Sequence, residues 1–158
     1  MRLAWESLGK RHVRAIAACF AGDAEGMRRV AFYSDPRRLL RLMDEKTRFA
    51  WVVRDNGRLI GLIDLEIVRE GIGALALYIC PASRGKGYCR ALLDGLLATD
   101  PVRHLNTLIG SVEHDNEASI RCLRANGFVA TGEEGVGMIE MEKVLSRAAP
   151  SVRGDAFR

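Results

Sequence analysis

Residues 74–93 constrain the fold of this 158-residue chain more than any other segment. They begin with an apolar run over 74–80, which is short enough to be a buried central strand rather than a helix. Pro81 ends this run, and a loop containing Arg84-Gly85-Lys86-Gly87 leads directly into a helix predicted over 88–99. The segment therefore predicts a strand–loop–helix unit with a glycine-bearing loop at its centre.

The loop carries the chemical groups that bind a diphosphate. Its successive backbone amides can form a concave anion seat, because Gly85 and Gly87 have no side chain to block the approach of a ligand. The positive end of the following helix adds to the attraction, and Arg84 and Lys86 supply positive charge at the rim. The alternative is a tight turn without a ligand, since the segment matches neither G-x-x-x-x-G-K-[ST] nor G-x-G-x-x-G.

Helices and strands of the remaining chain surround this unit. The first forty-five residues are predicted to be helical, and a hairpin with Asp55-Asn56-Gly57 at its turn precedes the central strand. Further strands are predicted over 105–112, 128–131 and 138–144, with a helix over 117–125. A strand–helix–strand unit flanked by antiparallel hairpins indicates a mixed sheet with helices on both faces.

Charge and hydropathy exclude several classes of protein. The formal net charge of +4 is divided as +5 over residues 1–50, 0 over 51–100, −3 over 101–145 and +2 over 146–158. Because this excess is dispersed rather than continuous, a nucleic-acid-binding module is the weaker hypothesis. No apolar run approaches the ~20 residues of a membrane helix. The first ten residues also lack the apolar stretch of a secretory signal, so we expect a cytoplasmic protein without membrane contact.

The cysteines and histidines show no ligand spacing for a metal, and we expect no metal site. Each cysteine lies in or beside an apolar run, where a free thiol behaves as a small apolar side chain. We therefore expect four buried free thiols in a reducing compartment rather than a disulfide framework. The four residues are Cys19, Cys80, Cys89 and Cys122.

Two motifs resemble those of the GNAT superfamily of acetyl-CoA-dependent N-acetyltransferases. The loop is similar to the family's coenzyme A motif, Q/R-x-x-G-x-G/A, with Arg84, Gly87 and Cys89 at the defined positions. Downstream, Asn116 and Ser119 resemble the family's N-x-x-S/A helix, which a Gly-Phe pair follows. The motifs come in the family's order and spacing, and the order of elements fits over roughly residues 10–145.

The resemblance implies an α/β (α+β) fold with a mixed, mostly antiparallel central sheet of about six or seven strands and helices on both faces. It implies a single acetyltransferase domain over residues 1–145. Residues 146–158 show no periodicity, and we expect them to form a mobile tail. A homodimer is possible, because many relatives dimerise.

The resemblance also implies roles for individual residues. The main chain of Leu77 and Ile79 would pair with the pantetheine arm of acetyl-CoA as an added strand, and the Leu77 amide would polarise the thioester carbonyl. Asn116 would contact the pantetheine, and Ser119 belongs to the same coenzyme-binding set. The pyrophosphate would be held, with Arg84 nearby, by the backbone amides of Gly85, Lys86, Gly87, Tyr88 and Cys89.

The chain departs from the family pattern at three positions. Cys89 replaces the final Gly or Ala of the loop, where we expect crowding without loss of binding. Leu123 stands where many members have the tyrosine that protonates the departing thiolate, so this acid is absent or is water. Gly73 stands where some members have a catalytic glutamate.

A carboxylate must then take the proton of the attacking amine. Asp64 and Glu66 share one face of the strand that precedes the central strand, and a solvated strand face is the alternative to a catalytic role there. Among the candidate carboxylates, we assign the role of base to Glu66 by a narrow margin. Glu113 is the second candidate, next to His114, which could shuttle a proton. Tyr78 is expected to lie in the core.

The resulting hypothesis is direct acetyl transfer from acetyl-CoA to a primary amine of a small molecule or peptide, without a covalent enzyme intermediate. The alternative is a coenzyme A-binding sensor or pseudoenzyme that lacks the leaving-group acid. The sequence does not identify the acceptor amine. Arginines of the N-terminal helices suit an acceptor with a carboxylate or phosphate, whereas the carboxylates of residues 113–117 suit a polyamine or aminoglycoside.

Overall fold

A seven-stranded sheet organises the computed structural model, which describes residues 1–133 and 135–146. The predicted tail lies outside the described residues from 147 onward. The strand order is β1-β2-β3-β4-β5-β7-β6, and only the β4–β5 pair is parallel. The mixed, mostly antiparallel sheet is therefore confirmed. The strands are β1 (Leu3–Ser7), β2 (Arg48–Asp55), β3 (Arg58–Arg69), β4 (Ile72–Ile79), β5 (Thr107–Glu113), β6 (Val129–Glu133) and β7 (Met138–Val144).

Helices cover both faces of the sheet, as expected. The described helices are α1 (Val13–Phe20), α2 (Ala24–Arg29), α3 (Ala31–Ser34), α4 (Pro36–Leu42), α5 (Tyr88–Leu97) and α6 (Glu117–Ala125). Leu62 of β3 packs with α1, α3 and α4, whereas its neighbour Ile63 packs with α5 and α6. Successive side chains of a strand point to opposite faces, so one central strand supplies both cores. Over the described residues, no helix is long and apolar enough to cross a membrane.

The N-terminal strand β1 corrects the expectation that the first forty-five residues are helical. It pairs antiparallel with β2 at the edge of the sheet. Trp5 of β1 lies 6.0 Å from Trp51 between ring centroids and fits against α5 at Gly95, where any Cβ would meet the Trp5 ring at 2.3 Å. Tertiary packing of this aromatic side chain fixes a five-residue strand that is too short to show its own periodicity.

Local turn and capping signals are confirmed. Asn56 and Gly57 both have positive φ, 49° and 79°, as the tight β2–β3 hairpin requires. Asp35 caps α4, since its side chain accepts a hydrogen bond from the amide of Arg37 at 2.9 Å, with Pro36 in the first turn. These signals depend only on neighbouring residues, which is why the sequence is sufficient to predict them.

The expectation of four free thiols is wrong. Cys19 forms a disulfide with Cys80, and Cys89 forms one with Cys122, with Cα–Cα distances of 5.6 and 6.5 Å. The first bond ties α1 to the end of β4, and the second ties the first turn of α5 to α6. The two cysteines of each disulfide are 61 and 33 residues apart in the sequence. Neither disulfide therefore has a short spacing from which it could have been predicted.

Candidate functional site

A groove opens where β4 and β5 stop pairing. The two strands pair in parallel only over Ile72–Ala74 and Thr107–Ile109. Beyond these residues, Leu75, Ala76 and Leu77 of β4 form one wall of a cavity, and residues 110–113 of β5 form the other. A central sheet with such a gap exposes main-chain groups of β4 that would otherwise bond to β5.

The backbone of β4 directs Leu77 and Ile79 toward this gap. The Cys80 amide donates to the carbonyl of Ile60 on the β3 side, at 2.9 Å. Because alternate residues of a strand bond to opposite neighbours, the main-chain groups of Leu77 and Ile79 point away from β3. The Ile79 carbonyl accepts a hydrogen bond from Nε of Arg84 at 3.1 Å, which agrees with this direction.

The loop before α5 has the backbone conformation that its glycines favour. Gly85 and Gly87 have φ of +72° and +80°, in the left-handed region that residues with a Cβ rarely adopt. No atom lies within 4 Å of the position of a Cβ at Gly85, so the loop surface is open there. Gly87 is the N-cap of α5, and the amides of the first turn follow it. The ammonium of Lys86 folds back onto the carbonyl of Ala82 at 2.8 Å.

Arg84, the first residue of the motif, contacts side chains outside the loop. Its guanidinium forms an ion pair with Asp23, the N-cap of α2, and lies 5.5 Å from the centroid of the Tyr78 ring. Asp23 also accepts hydrogen bonds from the hydroxyl of Tyr78 at 2.7 Å and from the Gly26 amide at 3.1 Å. Burial raises the pKa of Asp23, but the bonds from Arg84, Tyr78 and Gly26 outweigh it and hold the pKa below its usual value. Sequence reasoning missed Asp23, which looks like an ordinary helix boundary.

One groove brings together most of the predicted coenzyme-binding residues. Lys86 lies outside the set that lines it. Tyr88 donates its hydroxyl to Asp55 at 2.7 Å, which ties the start of α5 to the β2–β3 hairpin. The predicted residues that line the groove are Leu77, Ile79, Arg84, Gly85, Gly87, Tyr88, Cys89, Asn116 and Ser119.

The second motif builds the start of α6. The side-chain oxygen of Asn116 accepts a hydrogen bond from the Ser119 amide at 3.2 Å and so caps the helix. Leu123, one turn further on, is buried and lines the cavity between β4 and β5. The position expected for a leaving-group acid thus presents a hydrocarbon side chain to the cavity.

The two carboxylates of β3 face the N-terminal helices, away from the groove. Asp64 is 4% exposed and accepts hydrogen bonds from the hydroxyl of Tyr33 at 3.0 Å and from Arg48 at 2.9 Å. Burial raises the pKa of Asp64 against the opposing effects of Arg48 and Tyr33. Glu66 forms an ion pair with the same Arg48. Neither carboxylate lines the cavity or the groove, and the role of Glu66 as base stays a prediction.

Glu113, the second candidate base, lines the cavity at the end of β5. It accepts hydrogen bonds from Arg28 at 2.9 Å and forms an ion pair with Arg29. Arg29 also bonds to Asp115 at 2.9 Å, and this bond is the main reason that the pKa of Asp115 is lowered and that of Arg29 is raised. The pairing of the α2 arginines with these carboxylates was not predicted, because the partners lie about 85 residues apart in the sequence. Within the described residues, no group of three His, Cys, Asp or Glu side chains is arranged to hold a metal.

The sequence profile of the Acetyltransferase (GNAT) family matches residues 13–128. The chain belongs to this family, which confirms the resemblance, and it is therefore an acyltransferase by family. No curated protein matches the chain significantly.

Solved structures share its fold. The GNAT domain of S. lividans PAT has a TM-score of 0.77 at 15% identity, covering 89% of each chain. Spermidine N-acetyltransferase from Vibrio cholerae, in complex with CoA and spermine, has a TM-score of 0.74 at 21% identity, covering 90% of this chain and 95% of the other. The Campylobacter jejuni N-acetyltransferase PseH, in complex with acetyl coenzyme A, has a TM-score of 0.70 at 18% identity, covering 92% of this chain and 100% of the other.

Proposed function

We propose that the protein transfers an acetyl group from acetyl-CoA to a primary amine by direct attack of the amine on the thioester. The observation that carries this proposal is the end of β4–β5 pairing at Ala74, immediately before a strand segment that leads into the glycine loop. Family membership supports it, as do the CoA and acetyl-CoA complexes of the V. cholerae and C. jejuni relatives.

The glycine loop and the exposed edge of β4 suggest how acetyl-CoA would be oriented in the groove. The amides of residues 85–89 at the start of α5 would hold the pyrophosphate, because unpaired amides and the helix dipole both favour an anion. The pantetheine would continue along the exposed edge of β4 as an added strand, with its hydrogen bonds to Leu77 and Ile79. The Ile79 carbonyl already accepts a hydrogen bond from Nε of Arg84. The pantetheine would have to displace Arg84 to form its own hydrogen bond with this carbonyl. Asn116 and Ser119 form the opposite wall.

The proposed chemistry needs stabilisation of charge and removal of a proton. The Leu77 amide would donate to the thioester oxygen as negative charge develops on it, as in an oxyanion hole. The amine nitrogen forms a bond to the acetyl carbon, the C–S bond breaks, and the thiolate leaves with the electron pair. Glu113 is better placed than Glu66 to take the amine proton through water, because only Glu113 lines the cavity beside Leu77. Water would protonate the thiolate, since Leu123 carries no proton to give.

The second candidate function is a coenzyme A-binding sensor without turnover. Leu123 favours it, and so does Gly73, which carries no carboxylate. A Cβ at Gly73 would meet the Cδ1 methyls of Leu105 at 2.6 Å and of Leu65 at 2.7 Å. A glutamate at this position would therefore require both leucine side chains to move.

The two functions are separated by one pair of measurements. Calorimetry measures acetyl-CoA binding, and release of free thiol with a panel of amines measures turnover. Turnover of any amine excludes the sensor, whereas tight binding without turnover of any amine excludes the enzyme. A steep salt dependence of duplex DNA binding would instead support the nucleic-acid module, the weakest of the three hypotheses.

Cytoplasmic location and a homodimer stay predictions. The two disulfides remove the argument from free thiols that favoured a reducing compartment.

A further inference from the structure

Five charged side chains form a mixed ion-pair network at the mouth of the cavity, and we call it the mouth cluster. Arg28 contacts Glu113 at 2.9 Å and Glu25 at 3.4 Å, and Arg29 contacts Asp115 at 2.9 Å. Arg29 also pairs with Glu25 and Glu113. The network joins α2 to the end of β5 and the loop that follows it. The mouth cluster consists of Glu25, Arg28, Arg29, Glu113 and Asp115.

The mouth cluster borders the space beside Leu77, the proposed thioester position. Arg29 lines both the cavity and the coenzyme groove, which also share Leu77. The side chains of Arg29 and Glu113 are only 16% and 27% exposed. An acceptor amine that approaches Leu77 from the α2 side must therefore pass between these charges or replace one of them. Partly buried charges that lose their partners are costly, so the replacement must be chemically matched.

The charges of the acceptor determine whether the arginines and the carboxylates of the mouth cluster both keep oppositely charged partners. A polyamine would compete for Glu113 and Asp115 and would leave Arg28 and Arg29 to share Glu25, the one carboxylate of the cluster that remains to them. An acceptor with only an anionic group would pair with the arginines and leave the carboxylates unpaired. A molecule with an ammonium beside a carboxylate exchanges partners with both signs at once, so every charge remains compensated.

We propose that the acceptor is a small zwitterionic amine of the α-amino-acid class. Its carboxylate pairs with Arg28 and Arg29, and its ammonium pairs with Glu113 and Asp115. The two signs of the cluster are adjacent, since Arg28 contacts Glu113 at 2.9 Å, so a matched acceptor must carry its own two charges close together, as an α-amino acid does. This inference rests on the proposed acetyl transfer and names its substrate class.

The placement also serves the chemistry. An ammonium has no lone pair, so a proton must leave before attack, and Glu113 contacts the nitrogen that loses it. The carboxylate of the acceptor fixes the amine relative to Leu77 through a bidentate contact with an arginine, which is a geometrically specific interaction.

The first test compares matched acceptors in a thiol-release assay with acetyl-CoA. The panel contains each standard L-amino acid, its carboxamide and its decarboxylated amine, with spermidine as the polyamine. We expect the best amino acid to exceed its carboxamide and its amine by about 100-fold or more in kcat/KM, because both lack the carboxylate and leave the arginines unpaired. Equal kcat/KM for an amino acid and its carboxamide overturns the inference, and so does preferred turnover of spermidine.

The second test uses variants. Arg29→Gln should raise KM for the amino acid by about 10-fold or more and leave KM for the carboxamide nearly unchanged. Glu113→Gln should lower kcat for both. Arg103→Gln is the matched control, because Arg103 is exposed and forms a local ion pair with Asp100. If the mouth cluster only stabilises the fold, Arg29→Gln lowers the unfolding midpoint and leaves the ratio between amino acid and carboxamide unchanged, which contradicts the inference.

Failure of this inference is distinguishable from failure of acetyl transfer. Absence of acetyl-CoA binding in calorimetry overturns the proposed function itself. Turnover of other amines with kcat/KM equal to or above that of the best amino acid keeps acetyl transfer and overturns the substrate class. If acetyl-CoA binds and no acceptor is turned over, calorimetry of the amino acid panel against the acetyl-CoA complex decides: binding of an amino acid but not its carboxamide supports the inference, and binding of neither overturns it.

Discussion

The guanidinium of Arg84 forms an ion pair with the carboxylate of Asp23, which lies 61 residues earlier in the chain. The first residue of the glycine loop is therefore held by the N-cap of α2. The ring of Tyr78, a residue of β4, lies under the same guanidinium and donates its hydroxyl to Asp23. One buried carboxylate thus joins the coenzyme loop, the central strand and the helix that carries the arginines of the mouth cluster.

Substitution of Asp23 should lower stability in a pH-dependent way. Asp23→Asn removes the charge that Arg84 contacts, and we expect the free energy of unfolding at neutral pH to fall by about 2 kcal/mol. The pKa of Asp23 is lowered in the folded protein, so its stabilisation is complete above the unfolded pKa of about 3.9 and is lost as the pH falls through the folded value. Urea unfolding at neutral pH and near the folded pKa should show the difference between wild type and variant shrinking upon acidification.

The control for this experiment is Asp100→Asn, because Asp100 is 84% exposed and forms a local i,i+3 ion pair with Arg103. This change should alter stability by less than about 0.5 kcal/mol. A difference between Asp23→Asn and wild type that stays constant at every pH would show that the charge of Asp23 is not what stabilises the fold.

The glycine loop should respond to substitution differently from a glycine turn without a ligand. Gly85 and Gly57 have φ of +72° and +79°, and neither has an atom within 4 Å of a Cβ position. Gly85→Ala and Gly57→Ala should therefore each cost about 1 kcal/mol of stability through backbone strain. Only Gly85→Ala should weaken acetyl-CoA binding, by roughly 10-fold in Kd. Calorimetry checks this, and equal affinities of the two variants would argue against pyrophosphate binding at the loop.

Arg48 should be a major stabilising residue because it neutralises two carboxylates of β3. Arg48→Met leaves Asp64 buried without its cation, and we expect a loss of about 3–5 kcal/mol at neutral pH. The pKa of Asp64 is already raised by burial, and loss of Arg48 raises it further. The destabilisation should therefore grow as the pH rises through the pKa of Asp64 and shrink below it. Urea unfolding across this range measures the effect.

The matched control is Arg38→Met, since Arg38 is 49% exposed and pairs with Asp35 in a local i,i+3 contact. The double variant Arg48→Met/Asp64→Asn should recover part of the lost stability. A double variant no more stable than Arg48→Met alone would mean that the unpaired charge of Asp64 is not the cause.

Local sequence patterns were sufficient to predict the elements that form the groove. The loop at Gly85 and Gly87, the helix that Asn116 caps and the central strands all depend on the order of neighbouring residues, and each is found where its pattern indicated. The mixed, mostly antiparallel sheet and the family resemblance are confirmed as well.

Long-range pairing was not predictable from the same patterns. Periodicity does not encode which arginine meets which carboxylate, so neither the contact of Arg84 with Asp23 nor that of Arg29 with Glu113 could be derived. The disulfide partners were missed for the same reason. The strand β1 was not predicted because its packing depends on Trp51 and Gly95, which lie far from it in the sequence.

Removal of either disulfide should lower stability. The bonds close loops of 61 and 33 residues, and each should contribute about 4 kcal/mol by restricting the unfolded chain. Paired serine variants, Cys19→Ser/Cys80→Ser and Cys89→Ser/Cys122→Ser, isolate each contribution in urea unfolding. A reductant should destabilise the wild type and have no effect on the variant lacking all four cysteines, which is the control. Four thiols that titrate in the unreduced native protein would contradict the disulfides and restore the free-thiol interpretation.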